Sequence, residues 1–292
     1  MSQETVQAKR KVRQWGWFKV LLGGLLLYIA SLVILVLTGN PNLFPTVVMI
    51  GNFLVPITYV AFFYERKYLS RLSMPTTTLT FVYGGLLGVL ASSVLEPIFI
   101  RQIDPVSLLL IGIIEEFAKI LGVLLIARRF QHNVEMDGLI LGAAAGMGFA
   151  ALESMGYAFT AFLSSGGSLS ATVMVTLIRG ILSPIGHGTW TAILASVLFR
   201  ESGLKHFRLN FKVILAFLGV ALLHSLWDGL PPVVAAVFSP GLDVTIAQSL
   251  VGGLGLLILW LRWREARRLQ IQAEQNRLQA EEIEQVEEQS NA

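Results

Sequence analysis

Long apolar runs alternate with short polar, turn-rich connections along most of the chain. Eight such runs, at about 15–38, 47–64, 78–97, 106–127, 138–164, 172–199, 213–237 and 245–262, are close to or beyond the roughly 20 residues that a helix needs to cross a bilayer. Backbone polar groups must be satisfied internally in hydrocarbon, so runs of this length predict helices and not barrel strands. The expected fold class is all-α: a polytopic helical membrane protein with about eight transmembrane helices. The basic start followed by an apolar run has the outline of a signal peptide, but the run is too long and lacks a small-residue cleavage site, so a retained first span is expected.

Charge on the connections supports the count. Lys9, Arg10, Lys11 and Arg13 precede the first run; Arg66, Lys67 and Arg71 follow the second; Arg128 and Arg129 follow the fourth; Arg200, Lys205, Arg208 and Lys212 follow the sixth; and Arg262, Arg264, Arg267, Arg268 and Arg277 follow the eighth. Only Arg101 falls on the opposite side. The positive-inside rule therefore predicts that both termini are cytoplasmic. Three regions result: a basic N-terminus at 1–14, a membrane-embedded domain at 15–262, and a polar C-terminal tail at 263–292. The tail's apolar residues recur too irregularly for a heptad, so a solvated helix that frays toward its end is expected. Its basic start suits contact with the membrane surface.

Composition narrows the chemistry. Of 292 residues 54% are hydrophobic and 14% charged, against roughly 25% charged in a soluble domain, so no separate soluble domain fits. Cysteine is absent, which excludes disulfides, thiol nucleophiles and cysteine-ligated metals. The formal charge of +3 is spread over connections, and no nucleic-acid partner is implied.

Against this background the fourth run is anomalous, because Glu115, Glu116 and Lys119 lie at its centre. Each ionisable group at that depth costs at least about 2.5 kcal/mol on insertion scales, so a functional role is the default reading. Counting from the ends of the runs brings Glu115, Glu116, Glu153, His187 and His224 to a common depth near the midplane. Asp228 shares a helical face with His224, and Tyr157 shares one with Glu153. His132 and His206 fall in connections, while Glu96 and Asp243 fall near outer ends and are expected to be solvated.

Simpler readings compete. Lys119 can neutralise Glu115 or Glu116 as a packing device. Arg179 can be a structural counter-ion or can hold a carboxylate or a peptide carbonyl. Trp190 and Trp227 read as packing residues. Charge balance alone, however, needs one carboxylate per lysine and not four. A desolvated carboxylate can act as general base or acid, and two histidines with a carboxylate can hold a divalent metal such as zinc with a position open for water. The tentative ligands are His187, His224 and Glu153. Either chemistry activates water inside the bilayer, where the natural substrate is a peptide bond of another membrane segment. A proton- or ion-coupled transporter is the alternative, and a scaffold acting through its tail is a third reading. Pro184 and Gly186 before His187, and Pro231-Pro232 after Asp228, predict a kink or an interruption in two spans. Gly142-x-x-x-Gly146 predicts close approach of a neighbouring helix.

Four ordered pieces, Glu115-Glu116-x-x-Lys119, Phe149-x-x-x-Glu153-x-x-x-Tyr157, Arg179 with His187, and His224-x-x-Trp227-Asp228, resemble the PrsW family of intramembrane proteases over about residues 80–240. That family is distantly akin to the CAAX prenyl proteases, which carry histidine where this chain has Glu153 and asparagine near Asp228. The resemblance implies a helical membrane peptidase of a bacterial or archaeal plasma membrane. In it Glu115 or Glu116 activates water, and His187 and His224 bind metal or stabilise the oxyanion. Glu153, Lys119, Tyr157, Arg179 and Asp228 complete the expected site. It also implies a membrane-anchored protein substrate such as an anti-sigma factor.

Overall fold

A computed structural model describes residues 15–128, 134–182, 184–202, 206–235 and 242–290. The basic stretch 1–14, Arg129, His132, Lys205 and the side chain of Asp243 lie outside the described residues. Among the described residues there is no strand. The helices are α1 (Gly16–Thr38), α2 (Phe44–Glu65), α3 (Met74–Leu79), α4 (Gly85–Phe99), α5 (Pro105–Ala127), α6 (Glu135–Ser164), α7 (Leu169–Leu182), α8 (His187–Glu201), α9 (Phe211–Ala235) and α10 (Leu242–Ser290). A π-helical turn, Thr80–Gly84, joins α3 to α4 into one crossing.

Among the described residues, seven helical stretches are long and apolar enough to cross a membrane. The eighth crossing is α5, which has 23 residues and packs against α4 and α9 but carries three ionisable residues at its centre. The protein is thus an all-α, polytopic integral membrane protein. Asp104 starts α5 as a capping box: its carboxylate accepts from the Ser107 N–H at 2.7 Å, and Ser107 Oγ accepts from the Asp104 N–H at 2.7 Å. The first of these bonds holds the Asp104 carboxyl below the usual carboxylate range.

The expected crossings lie within a few residues of the observed helices, and four of them carry further detail. The second begins earlier, through a 3₁₀ turn at Pro41–Leu43. The sixth is broken as Pro184 and Gly186 predict: α7 stops at Leu182 and α8 starts at His187. Pro231-Pro232 do not interrupt the seventh, and α9 runs through them to Ala235. These prolines free only the carbonyls four residues back, at Trp227 and Asp228, and both residues border a cavity, where unpaired backbone is tolerated. The last crossing and the polar tail form one helix of 49 residues, so the fraying expected toward the tail's end is not seen up to Ser290.

The centre of the bundle is α6, which is buried at every position from Glu135 to Ala151. A helix enclosed on all sides needs a small cross-section. Glycines at every fourth position supply it toward α8: a Cβ on Gly138 would stand 2.4 Å from the Ala195 carbonyl oxygen, one on Gly142 2.4 Å from that of Thr191, and one on Gly146 2.2 Å from that of His187. Without lipid-exclusion forces between apolar helices, such backbone proximity is what holds membrane helices together. At the termini side, Arg262 of α10 joins Glu135 of α6 at 2.6 Å, and Arg200 of α8 joins Glu265 of α10 at 2.6 Å.

Gly146→Val should therefore lose about 1–3 kcal/mol of stability or more through overpacking, read as a lowered Tm of the detergent-purified protein by tryptophan fluorescence. Gly156→Ala, with nothing within 4 Å of the added Cβ, should leave Tm unchanged or raised, and an equal loss in both variants would refute the stripe as the cause.

Candidate active site

The glycine stripe sets α8 so that its first residue, His187, enters the interior beside α5. At the other side of α5, Gly112 lets α9 approach until a Cβ would stand 2.5 Å from the Ala221 carbonyl oxygen. One turn later this proximity delivers His224 to both glutamates. Glu116 Oε1 lies 3.2 Å from His224 Nδ1, and Glu115 Oε2 lies 3.6 Å from its Nε2. Two side chains about 100° apart on one helix thus reach opposite edges of one imidazole ring, so both touch it.

Lys119 occupies the middle of the cluster and is fully buried. Its Nζ donates to Glu115 Oε2 at 3.0 Å and Glu116 Oε1 at 2.8 Å, lies 2.8 Å from His187 Nδ1, and stands 4.1 Å from the centre of the Phe149 ring. An ammonium only donates. His187 Nδ1 must then accept, which puts the ring proton on Nε2, 3.1 Å from Glu153 Oε2. Glu153 is held in turn by Arg179, whose Nη2 donates to Oε2 at 2.5 Å and whose Nε donates to Ser154 Oγ at 2.9 Å. The Arg179 guanidinium lies 4.0 Å above the Tyr157 ring. Asp228 Oδ2 is 3.5 Å from His224 Nε2. Every residue singled out in the sequence for this site therefore belongs to one connected network.

The two glutamates differ in access. Glu116 is sealed, with Lys119, His224 and a bond from Thr191 Oγ1 at 2.9 Å around it. Glu115 lines a cavity of about 430 Å³ together with Glu153, His187, His224 and Asp228. The cavity lies toward the connection at 100–104, with walls from Glu96 of α4, Leu108 to Glu115 of α5, Glu153 and Tyr157 of α6, the last turn of α7 before the break, and His224 to Asp228 of α9. That is the side opposite the start of α1.

Several wall residues were not foreseen. Glu96, expected to be solvated at an outer end, is half-buried and lines the cavity, as does Gln248. Trp190 is fully buried and stacks on His224, with ring centres 4.7 Å apart and planes at 30°. Thr191 was also missed. Its position four residues after His187 on the same helix was the available signal.

The ligand set fits a divalent metal. Glu115, His187 and His224 each offer an atom within 4.8 Å of the others, with His187 doing so by giving up either its Nδ1 bond to Lys119 or its Nε2 proton beside Glu153, and two histidines with one carboxylate are the donors of hydrolytic zinc sites. Glu116 on His224 Nδ1 supplies the second hydrogen bond that orients metal-binding imidazoles. In this group the carboxylate is Glu115, whereas Glu153 contacts His187 and Arg179. Formal charge points the same way: Glu96, Glu115, Glu116, Glu153 and Asp228 outnumber Lys119 and Arg179 in and behind the cavity, a negative excess that a divalent cation would reduce.

A family model described as PrsW family intramembrane metalloprotease matches residues 73–263. No curated protein and no solved structure matches the chain.

Removing a sealed charge from a buried pair typically costs about 3–5 kcal/mol. Glu116→Gln should lose stability of that order in unfolding titrations of the purified protein. Glu115→Gln, at the cavity wall and with Lys119 still paired to Glu116, should lose markedly less.

Proposed function

The chain belongs to the PrsW family of intramembrane metalloproteases, and from that premise we propose that Glu115 is the carboxylate that meets the reacting water, with His187 and His224 as its partners in holding a divalent ion of the zinc type. The observation that carries this reading is the unequal access of the paired glutamates, one at the cavity wall and one sealed behind it. When bound, such an ion lowers the pKa of its water to about 7 and polarises a carbonyl.

The chain's own residues supply the rest. Glu116 fixes His224 through Nδ1, leaving Nε2 directed toward Glu115 and the cavity. Glu153, anchored by Arg179, borders the same space beside His187 and can accept or return a proton as the peptide nitrogen leaves. Lys119 pairs with both glutamates without itself lining the cavity. Trp190 and Phe149 close the inner side and exclude bulk water, which strengthens each electrostatic contact.

The substrate is a membrane-anchored protein, and the cavity's position predicts a scissile bond in the half of the bilayer away from the termini. The basic connections place those termini in the cytoplasm, so cleavage falls toward the outer face of a prokaryotic plasma membrane. An anti-sigma factor is the substrate class that the family resemblance implies.

Cells expressing the wild-type chain should shed fragments of single-pass membrane proteins. Glu115→Gln should reduce that shedding about 10²- to 10⁴-fold, the usual contribution of a positioned base or acid; undiminished shedding would remove Glu115 from the chemistry. Purified wild-type protein should hold about one equivalent of a zinc-like ion, as a three-ligand site does, and His187→Ala/His224→Ala should hold none. A metal-free chain that still cleaves would assign the histidines to the oxyanion instead.

A further inference from the structure

A second cavity, of about 670 Å³, lies where α8, α9 and α10 meet, and it is distinct from the candidate active site. Its walls are apolar along nearly their whole length, with Val197 from α8, Leu215, Leu222 and Leu226 from α9, and Leu254 and Ile258 from α10. Its polar residues are confined to one end, where Arg200, Glu201, Lys212 and Arg262 gather. Gly219 widens the middle, since a Cβ there would have nothing within 4 Å. From Lys212 to Leu226 the groove follows α9 for fourteen residues, about 21 Å at 1.5 Å per residue. One leaflet with its headgroup region measures about the same, roughly 20–22 Å.

The polar end carries the charge that an anion would seek. Lys212 is paired with Glu201 at 3.1 Å, but 70% of its side chain stays exposed, and such a surface pair is weak and exchangeable. Arg200 is part-exposed beside it and pairs with Glu265. Arg208 is exposed in the same connection, while the neighbouring Leu209 and Phe211 are exposed apolar residues, 74% and 76% accessible, suited to the headgroup boundary. A peptide substrate is a poor occupant. The groove's polar end lies on the termini side, whereas the active-site cavity occupies the opposite half of the bundle.

We propose that this groove binds one anionic phospholipid, with an acyl chain along α9 and the headgroup phosphate on Lys212 and Arg200. The cytoplasmic leaflet, on which the termini lie under the topology above, is where anionic lipids meet basic pockets between helices. Leu223 and Leu226 of the groove flank His224 in sequence, so the bound chain braces the helix that presents that histidine.

The test uses the full-length protein in detergent, with phosphatidylglycerol and phosphatidylcholine of identical acyl chains as probes, read by native mass spectrometry and by Tm. Wild-type protein should retain one phosphatidylglycerol adduct that outlasts phosphatidylcholine, and phosphatidylglycerol should raise Tm. Gly219→Trp should abolish the persistent adduct, and Lys212→Gln should weaken phosphatidylglycerol binding about fivefold, the worth of one basic residue near an anionic lipid. Ala216→Phe, on the same wall, serves if Gly219→Trp does not fold. Equal retention of the two lipids, an adduct that survives groove filling, or a Tm shift reproduced by inorganic phosphate would each overturn the proposal.

Discussion

The structure depends on one buried ammonium. Lys119 has no access to water, and a charge so placed is tolerable only when opposite charges and acceptors surround it. It is met by Glu115 and Glu116 within its own helix, by His187 from α8, and by the Phe149 ring from α6. Glu116 then reaches across to His224 of α9. Three crossings therefore meet at a single nitrogen, α5 and α8 at 2.8–3.0 Å and the α6 ring at 4.1 Å, and Glu116 adds α9 as a fourth; such contacts cannot form unless the backbones come unusually close. Gly112 permits that on the α9 side, and Gly138, Gly142 and Gly146 permit it on the α8 side. The small residues and the charged turn are thus two halves of one requirement.

The broken sixth crossing follows from the same demand. A continuous helix would carry its side chains past the cluster on a fixed spiral. Ending α7 at Leu182 and restarting at His187 instead lets Arg179 and His187 approach Glu153 from two directions, at 2.5 and 3.1 Å. The turn between them also thins the wall, so the cavity borders Ile178, Leu182 and Gly186. Polar chemistry and an opening in the bundle arise at the same place because the interruption provides both.

Much of this was legible in the sequence, and the reason is energetic. Apolar runs long enough to cross a bilayer, and ionisable residues too costly to place there idly, are each visible one residue at a time. Depth needs only counting along the helices, which is why Glu115, Glu116, Glu153, His187 and His224 could be grouped before any fold was known. Features that depend on how helices cross were not visible. The access of Glu115 and the sealing of Glu116 are set by where α9 meets α5. Glu96 faces the cavity because α4 leans toward α5 and α6, although counting alone placed it at a solvated end. Trp190 reads as packing in the sequence and is packing in the structure, but what it packs is the imidazole of His224.

The division between the glutamates has a physical basis that extends beyond this pair. A carboxylate that orients a histidine and neutralises a lysine must stay fixed, which favours a sealed position with both oxygens engaged, as at Glu116. A carboxylate that exchanges protons with water must border space that water can enter, and of the two glutamates it is Glu115 that lines the cavity. One residue cannot satisfy both, since the contacts that immobilise the first exclude the water that the second requires. Adjacent positions on a helix, about 100° apart, resolve the conflict at the shortest separation available. They share one counter-ion and one histidine while facing different surroundings, and the doubled glutamate is the sequence trace of that solution.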